Sequence, residues 1–218
     1  MEGIILSLNI GLPVSYHYQG KIEKSAIGKS QVRNAVVLKH GILDDGVANE
    51  KFHGGFDRAV CLYSYDHYSK WEQESGKFFM LPAFGENMTV SGMLEENVYI
   101  GDIYKAGSSI LQISQGRIPC NTISKYNGVK NLLDRVVATG YTGYFFRVLK
   151  EGVIAQEDQL ELLEREQEDV SILKAHKLLY NKESDISDLQ KVVRIPSLAN
   201  AWKEKLSLII DRKQKQRK

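Results

Sequence analysis

Up to Gln156 the chain alternates short apolar runs with glycine- or proline-bearing breaks, a pattern that belongs to strands joined by tight turns. Strands are predicted at Gly3–Ile10, Ala35–Lys39, Ala59–Tyr65, Asn87–Val90, Ile103–Ala106, Ser109–Gln115 and Tyr144–Leu149. Turn signals separate them: Gly11-Leu12-Pro13, Asp44-Asp45-Gly46, Gly54-Gly55, Gly101-Asp102, Gly107-Ser108 and Glu151-Gly152. Two short helices interrupt this pattern, Asp66–Ser75 with Asp66 as amino cap and Val129–Thr139 with Leu132, Leu133 and Val136 at helical spacing. Strands so evenly spaced predict a mainly β fold, a barrel or sandwich closed on itself.

The texture changes after Gln156. Acids dominate 157–169, and three amphipathic helical patterns follow. The first, capped by Asp169, aligns Val170, Leu173, Leu178 and Leu179; the second opens at Asp185 with Ile186, Leu189 and Val192. Pro196 ends the second, and Ser197 caps a third carrying Leu198, Trp202, Leu206 and Ile209. The expectation is a β domain over 1–160 and a small three-helix appendage over 165–212, ending in a basic, solvated tail.

Composition narrows the classes. The 218 residues, 43% apolar and 26% charged, suffice for one substantial core. A net charge of +2 gives no global reason to expect nucleic acid, and no apolar run approaches the ~20 residues a bilayer needs. The amino terminus has no basic leader and no small-residue cleavage site, so a cytoplasmic protein is expected. Cys61 and Cys120 lack zinc-knuckle spacing and should both be free thiols in a reducing compartment.

Four segments carry candidate chemistry. In Gln115-Gly116-Arg117-Ile118-Pro119-Cys120 a thiol follows a proline and neighbours an arginine, which favours the thiolate. Cys120 is then a ligand to a soft metal, a persulfide carrier, or an inert core cysteine. Lys51-Phe52-His53-Gly54-Gly55-Phe56-Asp57-Arg58 combines two glycines, whose amides could form an anion nest, with His53 and Arg58 as further anion contacts. In Phe84-Gly85-Glu86-Asn87, Asn87 has the donors and acceptor to read a heteroaromatic edge, and Glu86 is expected to pair with Arg58 or Arg117. In Gly140-Tyr141-Thr142-Gly143-Tyr144, Thr142 and Gly143 are candidates for lining a pocket. Cys61, inside an apolar run, reads as core, and there is no P-loop, no Ser–His–Asp arrangement and no paired carboxylates.

Taken in order, these segments resemble the MOSC family, named for the carboxy-terminal domain of molybdenum cofactor sulfurases, with a family core over about 27–163. The resemblance rests on His53-Gly54-Gly55 with Asp57-Arg58-Ala59-Val60, on Phe84-Gly85-Glu86-Asn87-Met88-Thr89, on Gly101-Asp102, on the run to Cys120 and on Gly140-Tyr141-Thr142-Gly143-Tyr144. The tail looks like the three-helix domain of the stand-alone, YiiM-like bacterial members. The resemblance implies a barrel-like fold and bound molybdenum cofactor, with Cys120 as metal ligand and His53, Gly54, Gly55, Arg58, Asn87, Gln115, Arg117 and Thr142 around pterin and phosphate. It further implies oxidoreductase activity on N-hydroxylated compounds, with electrons from a separate reductase, since no flavin or iron–sulfur motif occurs in the chain. Sulfur carriage from a cysteine desulfurase, pyridoxal phosphate binding and a non-catalytic binding module are alternatives, and a homodimer is possible. Two departures stand out. Asp44 replaces the second glycine of Gly-x-x-Gly-Asp, which leaves a role for Asp45 open, and Gly116 replaces the proline of Gln-Pro-Arg.

Overall fold

The computed structural model describes residues 2–18 and 20–216, the side chains of Glu2 and Phe52 excepted. Its strands are β1 (Glu2–Ile10), β2 (Val14–Tyr18), β3 (Lys21–Ser25), β4 (Ser30–Gln31), β5 (Asn34–Leu38), β6 (Gly41–Ile42), β7 (Val60–Ser64), β8 (Met88–Ser91), β9 (Ile103–Ala106), β10 (Ser109–Gly116), β11 (Tyr144–Lys150), β12 (Gly152–Ala155) and β13 (Gln159–Glu164). The helices are α1 (Glu50–His53), α2 (Tyr68–Ser75), α3 (Thr122–Asn127), α4 (Leu132–Thr139), α5 (Ile172–Tyr180), α6 (Ile186–Val193) and α7 (Asn200–Gln216).

Seven strands close a barrel in the order β13-β9-β10-β11-β7-β8-β1, and β1 returns to β13 through Glu2–Glu161, Gly3–Leu160 and Ile4–Gln159. Closure leaves these strands no open edge. Only β7 and β8 run parallel within the ring, Leu62 beside Met88, so the barrel is mixed. Ile5, Leu8, Leu62, Met88, Tyr104, Leu111, Ile113, Phe146 and Leu160 are buried together in its core.

The closing strand differs from expectation. β13 lies in the acidic stretch after Gln156 and runs past the domain boundary expected at 160. Its acids at 161 and 164 face solvent while Leu160 is buried, an alternation that the density of charge obscures in sequence. The β2–β3 hairpin was also not predicted, because its Tyr, His, Lys and Glu give no apolar alternation.

The helix starts shift too. Ser64, not Asp66, caps the 3₁₀ turn that leads into α2, its hydroxyl accepting from Asp66 N–H. The expected helix Val129–Thr139 is α4 alone, with α3 as a separate turn before it. Ser171, not Asp169, caps α5 by accepting from Lys174 N–H at 3.2 Å, whereas Asp185 caps α6 as expected. Ser197 caps nothing: its hydroxyl is buried and unpartnered among the described residues. The three helices follow the barrel as a helical segment and pack on it. Ile172, Ala175, Leu189, Val192, Trp202 and Leu206 belong to the same continuous apolar cluster as the barrel interior.

Candidate functional site

A cavity of about 560 Å³ opens where the helical turn Glu50–His53, the start of β7, the loop before β8 and the end of β10 meet. Such a volume suits a small-molecule ligand. The structure brings His53, Gly54, Gly55, Arg58, Asn87, Arg117 and Cys120 to its wall. Gln115 and Thr142 do not line it. The Thr142 hydroxyl bonds the Gly143 carbonyl at 3.0 Å, and the Gln115 amide nitrogen donates to the Gly116 carbonyl at 3.2 Å. Gln115 Oε1 is left buried with no partner among the described residues.

Cys120 is positioned by a bulge. The β10–β11 register shifts between Ile113 and Gln115, which bends the strand just before Arg117. Arg117 N–H still donates to Gly143 O at 2.9 Å, and the chain then reaches Cys120 and the first turn of α3. Cys120 is partly buried, and its sulfur lies 3.3 Å from Thr122 Oγ1.

The His53-Gly54-Gly55 turn works differently from an amide nest. His53 N–H and Gly54 N–H are spent on Asn49 O and Glu50 O, at 2.9 and 3.0 Å, because the chain makes a helical turn there. The glycines instead shape the exit: a Cβ on Gly54 would lie 3.1 Å from Glu50 O, and Gly55 sits at φ +103. Arg58 Nη1 donates to Gly54 O at 3.4 Å across this turn. Burial, followed by the charges of Arg117 and Arg58, pushes the His53 imidazole below its ordinary range, so it is neutral near pH 7.

Asn87 is not free to read a ligand. Its side-chain nitrogen donates to Asn9 O at 3.2 Å and to Asp45 Oδ2 at 2.8 Å, while its oxygen accepts from Cys61 N–H at 3.0 Å. Asp45 also accepts from Gly11 N–H at 2.7 Å and forms an ion pair with Lys29, both side chains nearly buried. Asp45 therefore braces the wall even though Asp44 replaces a glycine. Asp44 takes φ +61, which aspartate tolerates better than most residues, so the turn survives. Glu86 pairs with neither arginine. Fully buried, it accepts from Tyr68 Oη at 2.5 Å, Thr89 Oγ1 at 2.8 Å and Phe84 N–H at 3.0 Å.

Cys61 and Lys29 are among the wall residues that escaped the sequence reading. Cys61 is buried yet lines the cavity, its sulfur 4.0 Å from Arg117 Nη1; burial outweighs that charge and pushes the thiol up to about 11. Lys29 stands beside it with no motif to announce it. The hairpin adds Lys24 and Ser25, and it is held by Lys125, which pairs with Glu23 and sits 5.1 Å from the Tyr18 ring.

Comparison with known proteins agrees with this architecture. Residues 49–161 match the MOSC domain, and residues 170–207 match the YiiM-like, 3-alpha helix domain. YflK of Bacillus subtilis is 38% identical over 200 residues, covering 91% of this chain and 90% of that one. The chain belongs to the MOSC family. A Gibberella moniliformis protein named Reductase is 32% identical over 191 residues, 81% of this chain but 34% of its own length. The crystal structure of YiiM from Geobacillus stearothermophilus superposes with a TM-score of 0.81 at 31% identity, covering 95% of this chain and 99% of that one. The MOSC match begins after β6, so β1, which closes the barrel and carries Asn9, lies outside the matched segment. No helix among the described residues is long and apolar enough to cross a membrane.

Proposed function

We propose that the cavity holds molybdenum cofactor, with Cys120 as the protein's ligand to the metal, and that the protein reduces N-hydroxylated compounds. One observation carries the reading: the partly buried Cys120 shares a cavity wall with Arg58, Arg117 and a neutral His53. The residues fit such a group. Among the described residues no three of His, Cys, Asp and Glu are grouped to hold a metal ion, so a metal here needs ligands of its own, as a pterin dithiolene brings, plus one thiolate. Phe145, partly exposed on the wall, offers apolar surface for a ring system, and Arg58 and Arg117 offer charge for a phosphate. A pyridoxal Schiff base is less well supported, since Lys29, on the cavity wall near Cys61, is already held in an ion pair with Asp45.

When bound, the cofactor would supply two-electron oxygen-atom transfer. The overall change, R–NHOH to R–NH2 and water, takes two electrons and two protons. His53 Nδ1 and Nε2 offer one proton site beside the arginines, charging more readily once an anion offsets the two guanidinium groups. The electrons come from a separate reductase, a partner in keeping with a relative named Reductase of which the matching part is only 34%. The test is metal analysis of wild type and Cys120→Ala purified after growth with molybdate. Molybdenum in wild type and its loss from the variant is expected. Equal molybdenum in both removes the ligand role, and a metal-free protein with an adduct of about 32 Da on Cys120 turns the reading to sulfur carriage.

A further inference from the structure

Two contact paths run from the three helices to the segment Arg117–Cys120, and neither Glu95 nor Trp202, through which they pass, lines the cavity. The first path is packing. Ala199 N–H donates to Ser114 O at 2.9 Å, and the fully buried Trp202 ring lies on Gly116, where an added Cβ would be 3.1 Å from Cζ2 and 3.2 Å from Cη2. The second is polar. Glu95, 1% exposed, accepts from Leu173 N–H in the first turn of α5 through its backbone carbonyl at 2.8 Å. Its carboxylate meets His67 Nε2 at 2.6 Å and accepts from Gly143 N–H at 2.8 Å, and Gly143 O in turn accepts from Arg117 N–H at 2.9 Å. Gly143 has little freedom: φ is +72 and a Cβ would lie 2.4 Å from Leu62 O. His67 is itself clamped by the Tyr141 ring, stacked at 4.0 Å.

We propose that Glu95 is a positioning residue for the Arg117–Cys120 segment and that the three helices are the abutment against which this segment is held. A buried carboxylate needs its hydrogen bonds satisfied, so His67 and Gly143 are locked to one geometry together, while the backbone carbonyl of the same residue fixes it to the Leu173 turn. The Trp202 ring blocks the other side of the strand. The arginine and the thiol of the cavity thus inherit their pose from residues that never touch a ligand.

The cofactor-free full chain tests this, so the result stands apart from whether molybdenum binds. Iodoacetamide alkylation at pH 8 is followed separately at Cys120 and Cys61 by peptide mass spectrometry, with Tm measured alongside. Cys61, buried and with its thiol at about 11, reports general opening. Glu95→Leu is expected to change the Cys120 rate about fivefold or more while Cys61 stays protected, because thiol reactivity follows local field and access. Glu95→Gln keeps an acceptor for Gly143 N–H and should stay within about twofold of wild type. Gly116→Ala, which wedges the Trp202 ring off the strand, should also shift the Cys120 rate and serves if Glu95→Leu does not fold. The proposal falls if the Cys120 rate stays within about twofold in every folded variant, or if Cys61 and Cys120 speed up together.

Discussion

Asn87→Ala removes three partners at once: the oxygen that accepts from Cys61 N–H, and the protons given to Asn9 O and Asp45 Oδ2. A buried polar group left unpaired costs about 1–3 kcal/mol. Asp45 borders the cavity and can recover water there, whereas the Cys61 and Asn9 groups lie within the barrel wall. The total therefore falls in the lower part of the summed range, about 3–5 kcal/mol. At this chain length each kcal/mol moves Tm by about 2–4 °C, so a drop on the order of 10 °C is expected. Urea titration followed by circular dichroism gives the free energy directly. Asn87→Asp keeps the size but sets a second carboxylate against Asp45; its loss should be comparable at pH 7 and should shrink as the pH falls into the carboxylate range. A cost below about 1 kcal/mol for Asn87→Ala would refute the bracing role and return the amide to the list of ligand contacts.

Three further outcomes follow from other sites. Because His53 and His176 are both pushed below the ordinary imidazole range of about 6.5, mainly by burial, the unfolded chain takes up their protons first; stability is complete above that pH and is lost as pH falls toward the folded values. His53→Gln should flatten the fall in urea midpoint between pH 7 and 5, and an unchanged slope would count against the shift. Gly143 and Gly76 share a left-handed backbone, φ +72 and +65, but only Gly143 has backbone oxygen 2.4 Å from a built Cβ. Alanine at Gly76 should cost about 1 kcal/mol, alanine at Gly143 at least about 3, and equal costs by urea titration would contradict the close contact. In wild type, iodoacetamide at pH 8 should modify Cys120 and leave Cys61 intact, and a doubly alkylated folded protein would show that Cys61 is not sealed.

Much of the barrel was legible. The predicted strands over Gly3–Ile10, Ala59–Tyr65, Ile103–Ala106 and Tyr144–Leu149 fall within a residue of β1, β7, β9 and β11, because apolar alternation is a local signal. β13 and the β2–β3 hairpin were hidden, the first by exposed acids and the second by polar side chains that pack on a cavity rim instead of a core. Site residues divided along the same line. His53, Arg58, Arg117 and Cys120 announced themselves as charged or soft groups beside glycine and proline, and they line one cavity. Gln115 and Thr142 sit beside such signals, yet their side chains are used inside the wall. Cys61 and Lys29 reach the cavity with no signal at all.

By itself, then, the order of residues determined a closed β fold followed by three amphipathic helices, and it named the thiol, the arginines and the histidine. Those conclusions need only nearest neighbours, turn residues and the period of burial. Which groups have a hand free was decided in three dimensions. Asn87 and Glu86 are spoken for by Asn9, Asp45, Tyr68 and Thr89, most of them far away along the chain, and hydrogen-bond partners at that separation leave no mark on local pattern. The same holds for the helices, whose apolar faces could have met each other, a partner or the barrel. Only packing Trp202 against Gly116 made them part of the wall behind Cys120.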